Sequence, residues 1–134
     1  MARYADRESR SAMTQPPSFV AGRNIAMKVP PHLYDATVHF YRTVVGLKPI
    51  EAHQPSVVFE FGTNQLWIDR VPSLSQSEIW LELVTNNTSE ASKHFNAAGV
   101  VRCDEIEPLP EGFSAFWISS PASIIHLVCK DKEA

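Results

Sequence analysis

The sequence runs twice through the same cycle of hydrophobic patterns, and this internal correspondence constrains the fold more than any single motif. Residues 24–29 alternate as a strand, with Ile25, Met27 and Val29 on one face. Pro30-Pro31 stops it, because proline removes a ladder donor. Asp35 suits the N-cap of a helix over 36–45, where Val38, Tyr41, Val44 and Val45 share a stripe and Gly46 follows as the terminator. Three short strands follow at 49–53, 57–61 and 66–71, the last two separated by Gly62-Thr63-Asn64. After a polar connector the cycle restarts: a strand at 78–84, a helix at 88–98 capped by Asn87 and ended by Gly99, then strands at 100–105, 114–119 and 124–129. Gly99 stands 53 residues beyond Gly46, and Ile79, Leu81 and Leu83 match Ile25, Met27 and Val29.

Two copies suit a paired-module domain better than a solenoid, each module burying one sheet face under its own helix. The reading is α+β: two βαβββ modules, about 23–72 and 77–131, whose sheets form one curved mixed sheet around a cleft. Residues 1–22 lack a periodic apolar face and read as a flexible tail. The chain has 134 residues, is 44% hydrophobic and carries a net charge of −3, which gives no electrostatic footprint for nucleic acid or an anionic membrane. No apolar run approaches the ~18–20 residues that span a bilayer. Cys103 and Cys129 form no C-x-x-C pair and fit a reducing, cytoplasmic setting.

Strand alternation assigns side chains to faces. With the apolar sets under the helices, Asn24, Ala26 and Lys28, then Glu78, Trp80 and Glu82, point to the uncovered concave face. So do Trp67 and Asp69. In the closing strand, Ile125 and Leu127 are expected to face the helix, leaving Ile124, His126 and Val128 on the concavity; the parity of Trp117 is open. Asn24 and Glu78, and likewise Asp69 and His126, then occupy equivalent places in the two halves. Carboxylate, imidazole and amide oxygen suit a divalent metal such as Mn, Fe, Ni or Zn, whose open positions would polarise two substrate oxygens. The same groups can instead form a metal-free polar cavity, bonded to one another. Trp67 and Trp80 are candidate platforms for a planar ligand or ordinary core. Lys28 is a candidate for an anionic group or a solvated strand end, and Glu82 a candidate general base. The remaining histidines, His53 among them, receive no role.

Several segments resemble the vicinal oxygen chelate superfamily of glyoxalases, extradiol dioxygenases and bleomycin-resistance proteins. They are Ala36 with Phe40-Tyr41 and Val45-Gly46-Leu47; Trp80-Leu81-Glu82-Leu83-Val84 before Ser89-Glu90-Ala91 and Ala98-Gly99; and Phe116-Trp117-Ile118-Ser119-Ser120-Pro121 before Ile125-His126-Leu127. The resemblance covers about residues 24–130. It implies a homodimer, in some relatives with exchanged modules, and one metal ligand from each of four strands. Those places hold Asn24, Asp69, Glu78 and His126 here. Two functions follow as expectations. One is a metal-dependent lyase, isomerase or dioxygenase acting on adjacent oxygens of a small molecule. Its ligands would be Asp69, Glu78 and His126, with Asn24 as a weak fourth ligand or a substrate donor. The other is a metal-free protein that sequesters a small aromatic compound, with Trp67, Trp80 and Phe116 supplying affinity.

Overall fold

The computed structural model describes residues 16–130. The chain enters through a short strand, β1 (Phe19–Ala21), and continues into β2 (Asn24–Val29). Helix α1 (Pro31–His39) follows and widens into a π-helical segment, Phe40–Val45, that ends at Gly46 with φ of 83°. Strands β3 (Val57–Phe61) and β4 (Asn64–Arg70) close the first half. The second half contains β5 (Glu78–Thr85), α2 (Thr88–Ala97), β6 (Val101–Arg102), β7 (Ala115–Ser119) and β8 (Ile125–Lys130). These strands form one open eight-stranded mixed sheet in the order β3-β4-β2-β5-β8-β7-β6, with β1 also paired to β5. Within each half the opening and closing strands are parallel, β2 with β4 and β5 with β8. The halves meet edge to edge where β2 runs antiparallel to β5.

The helices cover the same face of this sheet and build separate cores. Val38 of α1 packs against Val29, Phe59, Leu66 and Ile68, with Ile25 and Met27 beside them. Ala91 of α2 packs against Phe116, Ile118 and Val128, with Leu83 and Phe95 beside them. Asn87 caps α2 as expected, its side chain accepting the Glu90 N–H at 3.0 Å.

Four expectations are corrected. Helix α1 starts at Pro31 rather than after Asp35, because Pro30-Pro31 fits a helix start as well as a strand end: Pro30 holds the extended cap conformation and Pro31 has no N–H to leave unbonded. Residues 49–53 form an isolated bridge, Pro49 to Phe59, and a 3₁₀ turn, Glu51–His53, instead of a strand. Part of the expected tail is ordered, since β1 pairs with β5; residues 1–15 lie outside the described residues. The closing strand has the opposite parity. Trp117 pairs with Leu127 and Phe116 with Val128, so Val128 lies under α2 while Ile125 and Leu127 join Trp80 and Trp117 on the concave face. Strand β8 is central and apolar on both faces, so alternation carries no directional signal there.

Between Ala21↔Leu83 and Ala26↔Trp80 the entering chain has four residues where β5 has two. This bulge is plugged by Glu82. Its carboxylate accepts the Asn24 backbone N–H at 3.0 Å and the Asn24 amide group at 3.2 and 3.3 Å. The fit requires glycine at position 22, because a β-carbon there would run into the Glu82 side chain.

Candidate functional site on the concave face

The concave face is crossed by two polar networks. The first starts at the half-buried Trp67, whose indole N–H donates to the Asn24 side-chain oxygen at 2.7 Å. The Asn24 amide donates onward to Glu82, toward which the Cys129 thiol also points at 3.7 Å. The imidazole of His53, on the turn before β3, lies against the Trp67 ring with centroids 4.8 Å apart. Nothing in the sequence pattern singled out His53, because only the fold returns that turn to β4.

The second network centres on Lys28, which is 4% exposed. In register, Lys28 sits beside Asp69 of β4 and opposite Glu78 of β5. Its ammonium donates to Asp69 at 2.8 Å and to Glu107 at 2.9 Å, and lies 4.2 Å from the centroid of the Trp80 ring. Glu107 belongs to the segment 103–112; its first residues were expected in a strand over 100–105, but β6 ends at Arg102 and a 3₁₀ turn, Asp104–Ile106, follows. This segment covers the second half of the face. Leu109 packs on Trp80, Trp117 and Ile125, and the Trp117 indole N–H donates to the Glu107 carbonyl at 2.9 Å. Trp80 and Trp117 meet edge to face at 5.2 Å and are only 6% and 5% exposed. A cavity of about 480 Å³ opens at the end of β4, lined by Lys28, Tyr34, Ser56, Trp67, Asp69 and Glu107 among others.

The expected site residues therefore separate. Asn24, Lys28, Trp67, Asp69, Glu78, Trp80 and Glu82 share the concave face. Phe116 does not: it is buried beneath α2, 6.2 Å from the Phe95 ring and under the Arg102 guanidinium. His126 pairs with Ile118 and Leu81 on the helix-bearing face, and its Nδ1 lies 3.0 Å from the Ile124 carbonyl. Trp80 faces the concavity, but the 103–112 segment covers it. Glu82 has both carboxylate oxygens engaged by Asn24, which makes it the bolt of the bulge rather than a base directed at a ligand.

The donor set does not fit a divalent ion. Asp69 is paired with Lys28, Glu78 accepts the Trp80 indole N–H at 2.9 Å, and His126 is on the other side of the sheet. Among the described residues no three His, Cys, Asp or Glu side chains converge on one point. Cys103 is no nucleophile candidate, since burial, then Glu105 and Asp104, push its thiol pKa up. No helix among the described residues is long and apolar enough to cross a membrane.

No protein-family model matches the sequence, and no curated protein does. Solved structures do match. The Mn(II)-bound glyoxalase from Novosphingobium aromaticivorans is 22% identical, with a TM-score of 0.56 over 81% of this chain and 38% of its own. A glyoxalase/bleomycin resistance protein/dioxygenase superfamily member from Vibrio splendidus 12B01 is 11% identical, with a TM-score of 0.55 over 84% of this chain and 100% of its own. A homoprotocatechuate 2,3-dioxygenase variant from Brevibacterium fuscum is 13% identical, with a TM-score of 0.57 over 89% of this chain and 34% of its own. This chain thus spans about a third of the length of the dioxygenase and somewhat more of the glyoxalase, but all of the Vibrio protein. At these identities the likeness speaks for the fold alone. A βαββ half, with an isolated bridge at Pro49 where a third strand was expected, and a βαβββ half joined edge to edge, with their helices on one face and a concavity on the other, give this chain the vicinal oxygen chelate fold seen in these glyoxalase/bleomycin resistance/dioxygenase structures.

Proposed function

We propose that this chain is a metal-free binding domain for a small planar aromatic or heterocyclic compound, held on the concave face against Trp67. The observation that carries this reading is how charge and aromatic surface are divided. The carboxylates expected to hold a metal are neutralised or hydrogen-bonded within the chain. Trp67 stays half-buried at a cavity of about 480 Å³, oriented by Asn24 and flanked by His53. A pre-oriented indole beside an open cavity binds a flat ring by stacking at little ordering cost. Polar edges of the ligand would meet the Tyr34 and Ser56 hydroxyls at the rim.

The test is a titration of planar heterocycles followed by tryptophan fluorescence and calorimetry. A binder found in this way is expected to lose about tenfold or more in affinity in Trp67→Ala, the ~1–2 kcal/mol of a lost stacking partner. The melting temperature should fall by only about 3–5 °C. Equal affinity in the variant would move the ligand elsewhere on the molecule.

Elemental analysis separates this reading from the metal-dependent one. Protein prepared without chelator is expected to hold no stoichiometric Mn, Fe, Ni or Zn. One equivalent of metal that disappears in Asp69→Ala would overturn the proposal and return the chain to metal-assisted chemistry on adjacent substrate oxygens.

A further inference from the structure

We propose that the Lys28 ammonium is the resident cation of the concave face, filling the place where carboxylates from the two halves converge and deciding which indole a ligand can reach. The inference deepens the metal-free reading and rests on it for the choice of Trp67, but the cation itself stands on separate contacts.

Asp69 comes from the closing strand of the first half and Glu107 from the second half, and their oxygens lie 2.8 and 2.9 Å from a single atom, the Lys28 nitrogen. The Trp80 ring lies on a third side at 4.2 Å. This is a cage for a primary ammonium. Two carboxylates supply charge-assisted bonds, and an indole face supplies attraction without a lone pair. A divalent ion would instead seek further oxygen or nitrogen ligands in the direction that Trp80 occupies. The register makes the occupant part of the fold, since β2 delivers Lys28 between Asp69 and Glu78. Lys28 is only 4% exposed, so its ammonium has little access to solvent as an alternative partner and holds both carboxylates.

The Glu107 contact also fastens the 103–112 segment across the sheet. With Leu109 packed down and the Trp117 indole bonded to the Glu107 carbonyl, that segment seals Trp80 and Trp117 and leaves Trp67 as the accessible platform. Lys28 is thus a specificity-determining residue: it occupies the cation place and fastens the cover.

The test uses the full chain, with amide hydrogen exchange across residues 104–110 as the readout and ethylammonium and Mn²⁺ as probes. Lys28→Ala and Glu107→Gln are each expected to speed exchange there by about tenfold or more. Ethylammonium, which replaces the missing end of the lysine, should restore protection in Lys28→Ala and not in Glu107→Gln. Wild-type protein should bind no Mn²⁺. Unchanged exchange in both folded variants overturns the proposal. So does failure of ethylammonium to protect Lys28→Ala, or Mn²⁺ binding by the wild type that Asp69→Asn abolishes. Should Lys28→Ala not fold, acceleration in Glu107→Gln supports the latch and its absence refutes it. A chain that passes these tests but binds no planar compound would refute the ligand reading and leave the resident cation in place.

Discussion

Trp80→Ala is expected to lower the free energy of unfolding by about 3–5 kcal/mol, the usual cost of truncating a large buried side chain. Trp80 is 6% exposed and packs with Trp117, Ile125 and Leu109. Its removal leaves a cavity beneath the 103–112 segment and takes the aromatic face from the Lys28 ammonium. It also leaves Glu78 without the indole N–H it accepts. Trp67→Ala serves as the matched control. Trp67 lies on the same face, half-buried, and gives up one hydrogen bond to Asn24, so its cost in stability should be about 1 kcal/mol. Urea unfolding of both variants reads the contrast directly. Equal destabilisation by the two substitutions would mean that the segment does not seal the second half of the face, and that both indoles are open to ligand.

The second large effect concerns a position without a side chain. Gly22→Ala is expected to destabilise the protein by about 1–3 kcal/mol, the range for forcing atoms into a filled site. The added carbon meets the stem of Glu82 as well as its carboxylate, so turning the flexible end of the side chain does not relieve the overlap. Glu82 has no simple retreat, because its oxygens hold the Asn24 backbone and side chain. Glu82→Ala alone should also destabilise, by leaving the partly buried Asn24 donors without their acceptor. The double variant Gly22→Ala/Glu82→Ala should then be about as stable as Glu82→Ala alone. Contacting sites in one network couple in this way, whereas independent sites add. Strict additivity in a denaturant-melt cycle would show that Glu82 does not plug the bulge. Because Asn24 also orients Trp67, both single variants should weaken ligand binding by disturbing the indole from behind.

What the sequence made legible depended on whether a strand has one wet face. Strands β2 and β4 have one face under α1 and one toward the concavity, so their alternation placed Asn24, Lys28, Trp67 and Asp69 together. Strand β8 lies between β5 and β7 with Ile125, Val128 and Cys129 all buried, and a run that is apolar on both faces reads equally well in either parity. His126 was placed on the wrong face for that reason, and Phe116 of the equally apolar β7 likewise, so the expected ligands Asp69, Glu78 and His126 do not share one face. Glu107, Leu109 and His53 lie in turns and irregular segments, where no period links sequence to direction. Their roles exist only once the sheet brings distant residues together. Lys28 had the right face, but its burial was invisible, because the residues that bury it come from the second half of the chain. β1 is three residues long, too short for any alternation to register.

The seam between the halves has a consequence for how such a duplicated unit can exist. β5 gives three residues to β2 and three to β1 along one edge, while its other edge is taken by β8. Cut apart, the two pieces would each present a bare ribbon of backbone donors and acceptors, the kind of border that recruits any passing strand. Carrying the halves in one chain turns two adhesive borders into interior, so neither half needs to be self-sufficient, and one polypeptide holds both sides of its own lock.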